Sequence, residues 1–110
     1  MEIRVSKKKH AVIVSVHGRM DATTAPAFET HMTKVLAEGA TYCIVDCQAL
    51  EYISSAGLRS VLRVGKTLRT QGGELVFAAL QGSVQEVFEI SGFSSMFPVF
   101  ASEDTALEQE

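Results

Sequence analysis

The chain has 110 residues, 46% hydrophobic and 21% charged, with a net charge of −3 at neutral pH. That size and balance imply one domain over residues 1–110 with a single core and exclude a disordered chain, while the absence of tryptophan and of a basic field excludes nucleic-acid binding. No apolar run reaches the roughly 18 residues of a membrane-spanning helix, and Glu2 and Arg4 interrupt the start where a signal peptide would be apolar, so direct membrane insertion is not expected and the cytoplasm is the expected location.

Residues Glu2 to Ser6 alternate, with Ile3 and Val5 on one face, and Ala11 to Val16 is β-branched and apolar. The two segments read as a hairpin, with Lys7-Lys8-Lys9 as its solvated turn. Gly18-Arg19-Met20-Asp21 breaks the strand pattern. Thr23 and Thr24 are cap candidates and Pro26 suits a first helical turn. Phe28, Met32, Val35 and Leu36 then make an apolar stripe that Gly39 ends. Tyr42 to Val45 reads as a central strand.

A second helix is predicted from about Ala56. Leu58, Val61, Leu62, Gly65 and Leu68 face inward, Arg59, Arg63 and Lys66 form an outward basic row, and Gln71-Gly72-Gly73 ends it. Glu74 to Ala79 is a further strand. Ser83-Val84-Gln85-Glu86 matches a capping box before a short helix carrying Val84, Val87 and Phe88. Phe97 to Phe100 reads as a last strand near an edge because of Pro98, and Ser102 with Glu103 and Asp104 opens a terminal helix. The predicted order is β-β-α-β-α-β-α-β-α: an α/β fold with a mixed sheet of about five strands and four helices, in which loops at the carboxyl ends of the strands form the functional edge.

Cys43 and Cys47 lie four apart on an extended segment, which separates their Cα atoms by roughly 13 Å, too far for a disulfide. They read as core residues. His10, His17 and His31 show no ligand spacing with them, so no metal is expected.

Ser54 and Ser55 sit where a helix begins, a position whose unpaired N–H groups and dipole accommodate an anion. Either serine serves as an N-cap, a nucleophile or a phosphorylation site. Catalysis needs a base and an oxyanion site, and Ile53-Ser54-Ser55-Ala56-Gly57 lacks the leading glycine of a nucleophile elbow. No phosphate-binding loop with its lysine is present either, so the chain reads as a kinase substrate and not as an enzyme. No cofactor is implied.

Gly18-Arg19-Met20-Asp21-Ala22-Thr23-Thr24-Ala25 resembles the Gly-x-hydrophobic-Asp-x-x-Thr/Asn-Ala signature of STAS domains in anti-sigma factor antagonists. Val45-Asp46 through Tyr52-Ile53-Ser54-Ser55-Ala56-Gly57-Leu58 resembles their phosphorylation loop. The resemblance implies a binding module whose unphosphorylated form binds an anti-sigma factor that is also a serine kinase, with a PP2C-type phosphatase reversing the modification. It places the acceptor at Ser55, two residues before Gly57, with Ser54 as the alternative, and the partner surface at Asp21, Thr23, Ser54, Ser55, Gly57 and Arg59. The chain departs from the family at Ser54, where many members have Asp, and at Ala56, where they have a second hydroxyl. STAS-like accessory subunits of lipid-transport ABC systems and nucleotide- or ligand-sensing STAS modules are the alternative functions the resemblance allows.

Overall fold

Ala11, Val12, Ile13, Val14 and Val16 are all buried. A strand apolar on both faces has to lie inside a sheet that is covered on both sides. In the computed structural model, which describes residues 1–110, this strand is β2 (Ala11–Met20), paired antiparallel with β1 (Glu2–Lys8) through a turn at Lys9 and His10. The chain then forms α1 (Ala25–Ala37), β3 (Tyr42–Asp46), β4 (Leu50–Ile53), α2 (Ser55–Thr70) and β5 (Glu74–Ala78). It closes with α3 (Gly82–Ile90), α4 (Phe93–Met96), β6 (Val99–Phe100) and α5 (Glu103–Glu108).

The strand order is β1-β2-β3-β5-β6, with β3 parallel to β2 and to β5, β6 parallel to β5, and β1 alone antiparallel. The mixed α/β architecture agrees with the sequence reading, but there are six strands and five helices instead of five and four. Two elements account for the difference. The additional strand β4 pairs in parallel with the far end of β2, and β2 itself runs through Gly18-Arg19-Met20, where the sequence suggested a break. A register shift between Gly18 and Arg19 and a positive φ of 97° at Gly18 bend the strand without ending it. The additional helix α4 is a single turn entered through Gly92 at φ 83°.

The two faces are filled unequally. Val12, Val14, Val16, Cys43, Val45, Leu75 and Phe77 face a large core under α1, α2 and α3. Ala11, Ile13, Ile44, Val76 and Ala78 face a small one capped by Ala106 of α5, whose carbonyl accepts the Tyr42 hydroxyl at 2.9 Å. Phe77 anchors the large core, edge-on to Phe88 at 5.0 Å and to Phe97 at 5.5 Å.

The capping box at Ser83 does not form. Gln81 occupies the N-cap without a side-chain bond, and the Ser83 hydroxyl instead reaches the Glu51 carbonyl of β4 at 3.4 Å. The tertiary partner outcompetes the local one because β4 passes beside the helix start. Cys43 and Cys47 are free and buried as expected; burial pushes the Cys43 thiol up to about 11 and raises Cys47 further still.

The basic row on α2 is divided. Arg63 pairs with Glu29 of α1 at 2.7 Å, and the buried Ser60 hydroxyl donates to the same carboxylate at 2.6 Å. Arg59 and Lys66 remain exposed with no ion pair. Arg63, then Ser60, hold Glu29 down at about 2. A carboxyl depressed on folding stabilises above its unfolded value near 4.5 and loses that contribution as pH falls through about 2. Glu29→Ala is expected to cost about 1–2 kcal/mol at neutral pH, chiefly by leaving the Ser60 hydroxyl without its acceptor. The gap between the wild type and the variant should narrow as pH falls from about 4.5 through about 2, in urea titrations at a series of pH values, leaving only the part due to the Ser60 acceptor. A gap as large at pH 2 as at neutral pH would contradict the assignment.

Candidate functional site

The bend in β2 positions the site. Because β2 and β4 run in parallel, with Met20 opposite Ile53, their carboxyl ends release two loops side by side. One is Asp21–Thr24, leading into α1. The other is Ser54, leading into α2. The Ser54 N–H donates to the Met20 carbonyl at 2.9 Å, which ties the two loops together.

In the first loop Asp21 organises the helix entry. Its Oδ1 accepts from the Thr23 N–H at 3.0 Å, the Thr23 hydroxyl at 2.7 Å and the Thr24 N–H at 3.3 Å. The Thr23 hydroxyl and N–H hold the Asp21 carboxyl below the usual carboxylate range, so it is an anion at neutral pH. Neither threonine caps α1 through its own side chain. Thr24 stands at the N-cap, but its hydroxyl accepts from the Asp21 N–H and donates to the Arg19 carbonyl, each at 2.8 Å. The Asp21 carboxylate instead holds the turn ahead of α1, accepting several groups where a hydroxyl accepts one or two.

In the second loop the two serines differ in burial and bonding. Ser54 is extended at the N-cap, half-buried, and its Oγ accepts from the Gly57 N–H at 3.2 Å. Ser55 is the first residue of α2 and is exposed, with no side-chain hydrogen bond among those of the fold. Gly57 is buried against β2. A Cβ there would lie 2.8 Å from Ile53 Cγ1 and 2.9 Å from the Met20 carbonyl oxygen, so only glycine lets α2 come this close.

Asp21, Thr23, Ser54, Ser55 and Gly57 therefore gather at one edge, and Arg59 projects one turn further along α2. Asp46 does not join them. Its carboxylate accepts from the Gln48 N–H at 3.0 Å and lines a groove with Ser102 and Glu103 on the α5 side, where burial, more than the neighbouring Glu103, raises its pKa. The histidines lie elsewhere: His10 in the β1–β2 turn, His17 opposite Glu2 of β1, and His31 within α1 with its ring on the Ala27 carbonyl.

Arg19 and Tyr52 went unnoticed in the sequence. They face each other across β2 and β4, with the guanidinium carbon 4.2 Å from the ring centroid. Without β4 as a strand, nothing linked residues thirty-three positions apart; an Arg before the Met20-Asp21 turn and a Tyr before Ile53-Ser54 become neighbours only through the register.

Residues 2–106 match the STAS domain family. The chain belongs to that family. BtrV of Bordetella bronchiseptica, a provisionally named anti-sigma factor antagonist, is 41% identical over 106 residues, covering 96% of this chain and 91% of BtrV. An anti-sigma factor antagonist of Mycobacterium paratuberculosis superimposes with a TM-score of 0.90 at 26% identity, over 98% of this chain and 92% of that one. The Bacillus cell fate determinant SpoIIAA in its phosphorylated form shares the fold, with a TM-score of 0.76 at 19% identity and 98% of each chain covered. Relatives of this STAS domain thus include anti-sigma factor antagonists. No helix of this STAS domain is long and apolar enough to cross a membrane.

Proposed function

We propose that this STAS domain is a cytoplasmic anti-sigma factor antagonist, a binding module controlled by phosphorylation of Ser55. Unphosphorylated, it binds an anti-sigma factor that is also a serine kinase, and the sigma factor held by that kinase is released. The kinase supplies ATP and phosphorylates Ser55, which ends the complex, and a PP2C-type phosphatase restores the binding form.

The observation that carries this reading is the division between the two serines. Ser54 is spent on holding the first turn of α2 through Gly57, whereas Ser55 is exposed at the positive end of a sixteen-residue helix. A phosphate there adds a charge of about −1.5 to −2 without disturbing the core. Asp21, Thr23 and Arg59 flank Ser55 as the contact surface for the partner.

After incubation with the cognate kinase and ATP, mass spectrometry is expected to find one phosphate on Ser55. Ser55→Ala should stay unmodified, while Ser54→Ala should still accept phosphate. Full modification of Ser55→Ala at Ser54 would move the acceptor. If neither serine is modified and no histidine-kinase-like anti-sigma factor binds, the switch is wrong as a whole.

A further inference from the structure

β1 leaves one edge of the sheet open. It pairs with β2 through seven residues, from Glu2 opposite His17 to Lys8 opposite Ala11, and no strand lies on its other side. All of its residues except Ile3 are exposed, Val5 to 46%. Such an edge presents unpaired N–H and C=O groups, a template for one more strand. Next to it a groove of about 510 Å³ lies between Val5 and Val12 on the sheet and Val35 and Ala40 on the α1 side.

We infer that this edge pairs with the same edge of a second copy of the chain, antiparallel, about a two-fold axis at Val5. Residues directly opposite each other in an antiparallel pair point to the same face, so a two-fold pair has to centre on a residue and not between two. Centring on Arg4 sets two arginines against each other, and centring on Ser6 sets Arg4 against Lys8. Centring on Val5 places Glu2 of each copy opposite Lys8 of the other, Val5 against Val5, and Ile3 along the aliphatic stem of Lys7.

Both charged ends are available. The side chains of Glu2 and Lys8 keep 57% and 53% of their accessibility, although each already has a partner within the chain, Arg4 for Glu2 and Glu103 for Lys8. Parallel addition would stack Lys7 on Lys7 and Lys8 on Lys8. The basic end that guards against open-ended strand stacking therefore still admits one closed antiparallel dimer. A single strand pair is small for a specific interface, so dissociation constants on the order of 100 µM are expected.

Sedimentation equilibrium should show a monomer–dimer equilibrium that Glu2→Lys weakens at least about tenfold and that Glu2→Lys combined with Lys8→Glu restores. Val5→Cys should oxidise to a covalent dimer, because opposite Cα atoms on the axis lie about 4.5–5.5 Å apart. Lys9→Cys should not, since its two copies would be roughly 26 Å apart. The native thiols are buried and do not compete. Ser55→Ala should dimerise like the parent, which keeps this result separate from the phosphorylation reading. A protein still monomeric at about 1 mM, equal crosslinking of the two cysteine variants, or a charge swap that fails to restore association would each overturn the dimer.

Discussion

Phosphorylation of Ser55 is expected to weaken binding of the anti-sigma factor by more than about a hundredfold, a penalty of around 3 kcal/mol. On the contact surface proposed above, the added dianion would have to lose its water for the partner to bind. Across the tied loops stands Asp21, an anion already stabilised by the Thr23 hydroxyl and N–H and therefore unable to relieve the repulsion by taking up a proton near neutral pH. The N-terminus of α2 offsets only about 0.3–1 kcal/mol of this in an exposed setting. Calorimetric titration of the anti-sigma factor with the unmodified and the phosphorylated protein measures the difference. A change smaller than tenfold would mean that the serine is not the switch. Asp21→Asn should recover part of the lost affinity of the phosphorylated form, and more at low ionic strength, where the repulsion is least screened.

Gly57→Val is expected to destabilise the fold by about 3 kcal/mol, read as a lower urea midpoint at unchanged slope. The new side chain would start 2.8 Å from Ile53 Cγ1 and 2.9 Å from the Met20 carbonyl oxygen. A side-chain methylene can give way by rotation, but a backbone carbonyl at the end of β2 cannot move alone. That same carbonyl accepts the Ser54 N–H, so pushing α2 outward also breaks the tie between the two loops. Stability and phosphorylation should therefore fall together in this variant, whereas Ser55→Ala should lose phosphorylation and keep stability. An unchanged urea midpoint in Gly57→Val would show that α2 tolerates the displacement.

Much of this arrangement is written locally. The stripe Phe28, Met32, Val35, Leu36 places α1 correctly because amphipathic periodicity and burial coincide there. Ser102 caps α5 as its position suggested, accepting from the Thr105 N–H at 3.1 Å. The readings that went astray are those where a long-range neighbour outweighs a local signal. Leu50-Glu51-Tyr52-Ile53 is buried only at its two ends and lacks strand alternation; it is a strand because the bent end of β2 offers it hydrogen bonds. Gly18 looks like a terminator and acts as the bend that makes that pairing possible. Ser83 has the right spacing for a cap and is drawn to the Glu51 carbonyl instead.

The site divides the same way. The sequence by itself determined the residue types, the family signature and the placement of two serines at a helix start, because capping chemistry and turn residues act over a few positions. It could not determine which serine is spent and which is free. The folded chain decides it: the Gly57 N–H bonds Ser54 Oγ in a local cap, and the Met20 carbonyl takes the Ser54 N–H because β4 lies beside β2. The register of that one parallel pair also brought Arg19 onto Tyr52, while Asp46, at the end of β3, lines a groove on the α5 side. β4 is buried only at its two ends, so its own pattern specifies that register weakly and its partner in the folded sheet fixes it.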